Sequence, residues 1–314
     1  MGGRPIWYAR LPRTCSADVP ELPEIEAYLA ALRPRIGGAV LEDVRIPSFS
    51  LLRSFDPPMT AVLGKRVTEL GRLGKRIVIG FEDELFLVLH LMVAGRLHWV
   101  EERRPLPRRY GLAAFDFDTG TLTLTEAGTK RRASLHVVGG RPGVAALDPG
   151  GIEVIGSSFE DFAAAVTTER HTLKRALTDA RRLSGIGGAF ADEMMHRARL
   201  SPMQINTNLT KDELRILHQA AVAVMTEWID LRVGEVGDGF PEKVTAFHPA
   251  MAVHGKYGEP CPVCGTRVQR IVYADRETNY CPGCQTGGKL LADRSLSRLL
   301  KSDWPQTIDD LEDA

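Results

Sequence analysis

Apolar residues recur at helical spacing near the start of the chain, at Ile25, Leu29, Leu32 and Ile36. Pro and Glu crowd the preceding turn, so an amphipathic helix is predicted to begin near Leu22. From about Val40 to Val138 the period shortens. The runs RVTEL, KRIVIGF, LFLVLHL, GRLHWV, LAAFDF, TLTLTEA and ASLHVV are separated by Gly, Asp and Pro, which predicts the short strands of a sandwich or barrel. Residues 139–151, GGRPGVAALDPGG, read as a linker. Beyond Ser158 the helical period returns in FEDFAAAVT, TLKRALTDA, AFADEMMHRARL and the long KDELRILHQAAVAVMTEWIDL, with a glycine-rich SGIGG turn between the second and third. Ser158 and Asp161 have the spacing of a capping box. Residues 233–250 read as an irregular connection, and Leu290 to Leu300 as a short last helix before an acidic tail.

The pattern is α+β, and 314 residues with 44% hydrophobic content suit two domains. The apolar runs are too short and too interrupted by charge to span a bilayer, as at Glu82, Asp83 and Glu84. The first residues carry no apolar signal core, so a cytoplasmic protein is expected. Formal net charge is zero, which removes the argument a basic chain would offer for a nucleic-acid partner. The charge is uneven, however: residues 251–302 hold eight Lys/Arg against four Asp/Glu. A DNA-binding face would have to be local.

Of five cysteines, Cys15 stands alone and four form two tight pairs, Cys261-Pro-Val-Cys264 and Cys281-Pro-Gly-Cys284, sixteen residues apart. Each knuckle offers two sulfurs on a tight turn, and two knuckles on a β-hairpin complete a tetrahedral thiolate shell for one Zn²⁺. A closed shell has no position for substrate, so the ion is expected to support folding. Such ribbons occur in unrelated proteins and name no function.

Four features taken together do. Pro20-Glu21-Leu22-Pro23-Glu24, then Lys75, then Leu183-Ser-Gly185-Ile-Gly187-Gly188, then Ala274-Asp-Arg276-Glu-Thr278-Asn-Tyr280-Cys-Pro-Gly-Cys-Gln285 resemble, in order, the formamidopyrimidine-DNA glycosylase and endonuclease VIII family. The resemblance runs from Pro20 to Gln285. It implies a helix and β-sandwich, a helix-two-turns-helix region and a zinc-finger hairpin. The matching boundaries are an extension over 1–19, a catalytic domain over 20–145, a DNA-binding helical domain over 152–250, the finger over 251–290 and a tail over 291–314. It also implies a monomeric glycosylase and abasic-site lyase acting on damaged double- or single-stranded DNA, in a bacterial cytoplasm. Pro20 would be the nucleophile and Glu21 the acid/base. An N-terminal amine has a pKa near 8, so it is substantially neutral at working pH and can form the iminium that drives β/δ-elimination. Catalytic contacts to phosphate would come from Lys75 and from Arg276, whose planar fork suits phosphate. Further DNA contacts would come from Glu24, Arg131, Arg132, Gly187 and Gly188.

The chain departs from the family pattern in several places. Pro20 is internal, and an amide nitrogen forms no Schiff base; Val19 stands where an initiator methionine would, and a GTG codon there would expose Pro20 after methionine removal. Gly188 replaces an asparagine. Val93 holds the place of a void-filling methionine, with Met92 expected on the opposite face of the same strand. Arg131-Arg132-Ala133 lacks an aromatic wedge, which favours weakly stacked lesions. No glycine- and hydroxyl-rich capping stretch is evident over 233–249. A catalytically silent damaged-DNA binder on the same fold is therefore the alternative reading, and a zinc-ribbon protein with a protein partner is a third. His90 and His136 read as packed strand residues, Met194 and Met195 as helix packing, and Arg181 and Arg182 as facing phosphate or solvent.

Overall fold

The computed structural model describes residues 19–47, 49–127, 131–242, 244–245, 247–273, 276–291, 306–308 and 310. The expected extension, apart from Val19, and most of the expected last helix lie outside these residues.

Helix α1 (Leu22–Ile36) begins where its apolar period does. The strands follow: β1 (Leu41–Arg45), β2 (Val67–Leu73), β3 (Arg76–Phe81), β4 (Leu85–His90), β5 (Gly95–Val100), β6 (Gly111–Phe117), β7 (Gly120–Glu126) and β8 (Ser134–Gly139). They form two antiparallel four-stranded sheets, ordered β1-β6-β7-β5 and β2-β3-β4-β8. Leu87 and Leu89 of β4 point between the sheets into one core with Ile77, Leu97, Phe115, Leu122 and the apolar face of α1. Phe86 and Val88 point the other way, which is why LFLVLHL is apolar throughout instead of alternating.

Residues 139–151 are not a bare linker. They contain helix α2 (Gly140–Ala145), and Val144 and Leu147 pack on the outward face of β3 and β4 against Val78, Phe86 and Val88. That apolar face needs a cover, and this segment supplies it. Strand β1 also escapes the sequence pattern because LEDVR is an edge strand with two carboxylates and little alternation.

The helical half comprises α3 (Phe159–Thr167), α4 (Leu173–Leu177), α5 (Gly188–Arg197) and α6 (Lys211–Gly234). Ser158 caps α3 by accepting the Asp161 N–H at 3.0 Å. Met194 and Met195 are fully buried in this second core, beside Phe190, Leu217 and Trp228. Leu22, the first residue of α1, packs into the same core, and α1 lies along α6. A hairpin of β9 (Gln269–Tyr273) and β10 (Arg276–Tyr280) and a short helix α7 (Pro282–Gln285) complete the described fold. No described helix is long and apolar enough to cross a membrane.

Candidate active site and metal centre

Pro20 and Glu21 precede α1 and are buried. The Glu21 carboxylate reaches across to the start of α5, where the N–H groups of Gly187, of Ala189 at 2.9 Å and of Phe190 at 3.4 Å donate to it. The first N–H groups of a helix have no partner within it and lie at the positive end of its dipole, so they suit a buried carboxylate. Lys75 lies close to this carboxylate. It stands in the tight turn between β2 and β3, not on a strand. A Cβ on Gly187 would lie 2.5 Å from both Glu21 Oε1 and Lys75 Nζ, so carboxylate and ammonium converge over that glycine. Desolvation lowers the Lys75 pKa, against the pull of Glu21 and Glu24.

The turn that carries Gly187 is seated on α1. Leu22 N–H donates to Gly185 O at 3.0 Å. Gly185 has φ +76°, and a Cβ there would meet Leu22 Cβ at 2.9 Å, so the position requires glycine twice over. Arg72 of β2 bonds Glu26 of α1 at 2.7 Å and Glu153 bidentately at 2.8 Å, and Glu153 accepts from Ser184. This chain of contacts ties the strand before Lys75 to the residue before Gly185.

Glu24 was expected at the DNA. It is buried instead, at 1% exposure, because it closes the start of α1: its Oε2 accepts the Glu21 N–H at 2.9 Å. Burial, and then the Glu21 charge, push its pKa up to about 8, while Arg232, at 3.7 Å on α6, pulls it down. Arg276 is exposed at the start of β10, and Arg131 and Arg132 are exposed before β8. None of these three arginines joins the Glu21–Lys75 cluster. Gly188 opens α5, and nothing lies within 4 Å of where its Cβ would be.

Two other expectations need correction. Met92 and Val93 are not on a strand: they form a turn between β4 and β5, with Met92 at φ +53° and its N–H donated to His90 Nδ1 at 2.9 Å. Strand alternation therefore does not decide which way Met92 points. Arg182 faces neither phosphate nor solvent; it is buried and bonds Val166 O and Glu169. His90 is partly buried and held near pKa 4 by burial and by Arg76 and Lys75, as suits a packed neutral residue.

The four knuckle cysteines meet at one point: Cys264 Sγ lies 3.3 Å from Cys281 Sγ, and Cys261 Sγ 3.9 Å from Cys284 Sγ. His196, in the last turn of α5, adds its Nε2 at 3.2 Å from Cys261 Sγ. The donor atoms of His196, Cys261, Cys281 and Cys284 all lie within 4.8 Å of one another, a soft donor set able to hold a metal ion. Two buried carboxylates fix the hairpin between the knuckles, and the segment before the first knuckle, to α5. Asp192 accepts from Lys174 Nζ at 2.8 Å and from Asn279 N–H at 3.1 Å, and pairs with His254 Nδ1 at 2.9 Å. Glu193 accepts the N–H groups of Ala252, Val253 and His254, each at 2.9 Å. Burial opposes a charged His254, yet the Asp192 contact raises its pKa. Sequence reasoning passed over Asp192, Glu193, His196 and Arg232. The available signal was that the first three are polar positions within an otherwise apolar helix face.

Three family models match in chain order. They are the formamidopyrimidine-DNA glycosylase N-terminal domain over residues 19–134, the formamidopyrimidine-DNA glycosylase H2TH domain over 152–238, and the zinc finger found in FPG and IleRS over 258–287. A formamidopyrimidine-DNA glycosylase of Heliobacterium modesticaldum is 33% identical over 283 residues, which cover 85% of this chain and 100% of that one. The crystal structure of MutM from Thermus thermophilus is 31% identical and superposes with a TM-score of 0.72 over 85% of this chain and 98% of its own. The Lactococcus lactis Fpg bound to abasic-site DNA shares the fold, with TM-score 0.76, 21% identity, and 85% and 99% coverage. The chain belongs to the formamidopyrimidine-DNA glycosylase family.

Proposed function

We propose that this protein excises damaged, oxidised bases from DNA and cleaves the resulting abasic site by β/δ-elimination through a Schiff base on Pro20. The observation that carries the reading is the Glu21 carboxylate, buried against three N–H groups of α5 and faced by Lys75, one residue from the nucleophile the family resemblance assigns. Freed of Val19, Pro20 is a secondary amine able to attack the sugar C1′. Glu21 then moves the protons that open the ring, and Lys75 balances charge and holds phosphate. Arg276, the Gly187 turn, Gly188, Arg131 and Arg132 grip the DNA backbone; Glu24 sets the position of Glu21 from below. The ion at the knuckles is one structural Zn²⁺, which supplies rigidity to the hairpin bearing Arg276 and takes no part in the chemistry. The protein acts as a monomer. Ala133, where the family resemblance places an aromatic wedge, is buried in the sandwich core, and a protein with no wedge there favours bases that are already poorly stacked.

The second reading, a silent binder of damaged DNA, is favoured by one observation: Pro20 follows Val19 in this sequence. Borohydride trapping on abasic-site DNA, with protein made from the native gene and its own upstream region, separates the two. Mass spectrometry of the cross-linked peptide is expected to find the adduct on an N-terminal Pro20. Absence of an adduct, with Pro20 internal in the intact protein, favours the binder.

A further inference from the structure

The metal centre has five donors for four places. Cys261 and Cys281 are buried and Cys284 is half-buried, while Cys264 is exposed. On the protein side of the same cluster stands His196, buried at 6% exposure, with Nε2 3.2 Å from Cys261 Sγ. In a tetrahedral shell with ordinary Zn–N and Zn–S lengths, neighbouring nitrogen and sulfur atoms lie about 3.5 Å apart and neighbouring sulfurs about 3.8 Å apart. The 3.2 Å between His196 and Cys261 and the 3.9 Å between Cys261 and Cys284 both sit close to those edges. His196, Cys261, Cys281 and Cys284 therefore form a second, complete donor set that omits Cys264.

We propose that His196 is a reserve zinc ligand that takes the place of Cys264 when that exposed thiolate is lost. This rests on the reading of the knuckles as a zinc site. With all four cysteines bound, His196 is an outer partner, donating its Nε2–H to the Cys261 thiolate. When Cys264 is alkylated, the sulfur pair that would bind zinc forms the S–C bond, the reagent's halide leaves and the Zn–Sγ bond is lost; in Cys264→Ala that bond never forms. The Nε2 lone pair then closes the shell, with the imidazole proton carried on Nδ1. Zinc keeps its oxidation state, and the net charge of ion plus ligands goes from −2 to −1. Little movement is needed because His196 rides on α5, the helix whose Asp192 and Glu193 already fix the hairpin and the segment leading to the first knuckle.

Zinc content and Co²⁺ substitution test this on the full-length protein, with circular dichroism as the check on folding. Cys264→Ala is expected to retain about one zinc per chain, the count for a closed structural site, and its Co²⁺ form to show a tetrahedral spectrum moved to higher energy by the nitrogen donor. Cys264→Ala combined with His196→Gln, and Cys281→Ala alone, are expected to lose the metal. Because a variant can fail to fold, the same question is put to folded wild-type and His196→Gln holoproteins alkylated at Cys264 with iodoacetamide: the first should hold its zinc, the second release it to a chelator. The proposal is overturned if Cys264→Ala is as zinc-poor as Cys281→Ala, if the double variant keeps the metal, or if the two alkylated proteins release zinc alike. A wild-type protein that holds no zinc at all would overturn the zinc reading with it.

Discussion

Gly187→Ala isolates the support of the candidate acid/base. The backbone at Gly187 is extended, with φ −127° and ψ −157°, so alanine adopts it without strain and any effect comes from the methyl group. That methyl would stand 2.5 Å from Glu21 Cδ and Oε1 and from Lys75 Nζ, roughly 1 Å inside normal carbon contact. Lys75 can yield at the end of a flexible chain. Glu21 cannot, because the N–H groups of Gly187, Ala189 and Phe190 hold it. Losing one such bond to a buried charge costs about 1.5–3 kcal/mol. At about 2–4 °C per kcal/mol for a chain this size, that lowers the melting temperature by roughly 3–12 °C. Displacement of a catalytic group by about 1 Å costs on the order of 100-fold in rate. The assays are a thermal melt and single-turnover cleavage of an abasic-site duplex. Gly188→Ala is the control: its Cβ meets nothing within 4 Å, and Gly to Ala inside a helix gains up to about 1 kcal/mol. A Gly187→Ala protein that melts like the Gly188→Ala control and cleaves like wild type would refute the claim that the start of α5 positions Glu21.

Three further predictions concern neighbouring residues. Gly188→Asn restores a side-chain donor at the mouth of the α5 turn, where an added Cβ meets nothing within 4 Å; one added hydrogen bond of about 0.5–1.5 kcal/mol should tighten duplex binding roughly 2- to 10-fold, and unchanged affinity by fluorescence anisotropy would count against a DNA contact there. Glu24, pushed up to about 8 by burial, binds its proton more tightly in the native state than in the unfolded chain. Its contribution is therefore full below the unfolded value of 4.5 and is lost as pH rises through about 8. Glu24→Gln removes that loss, so urea titrations should show its stability gaining on wild type steadily from pH 5 to pH 8, and a constant difference across that window contradicts the buried-acid assignment. Asp192→Ala strips Lys174, His254 and Asn279 of a shared partner that is 0% exposed; removing one member of a buried charge pair costs about 3–5 kcal/mol, and a melting temperature unmoved by the change would show that this hub does not hold the hairpin.

What could be read from the sequence and what could not divide along a physical line. The apolar periods of α1, of β2 to β8 and of α3 to α6 are local, and local spacing revealed them. Strand β1 and helix α2 stayed hidden because their reasons are distant: an edge strand tolerates charge on its open side, and α2 exists to cover an apolar sheet face that only the folded β3 and β4 create. The site divides in the same way. Pro20, Glu21, Lys75, Arg276 and the knuckle cysteines stand in motifs. The groups that would make them work as a unit do not: Arg72, Glu26, Glu153 and Ser184 are widely separated residues that meet at the junction of sandwich and helices, and Asp192, Glu193 and His196 are polar positions within one helix whose partners, Lys174 apart, lie about sixty or more residues away. Such positions are legible in principle. A carboxylate or imidazole on an apolar helix face costs free energy unless it is paired, so its presence in AFADEMMHRARL is already a statement that a partner comes to meet it. Helix α5 then has a physical reason for its composition at both ends: its first N–H groups hold Glu21 and its last turn faces the metal centre.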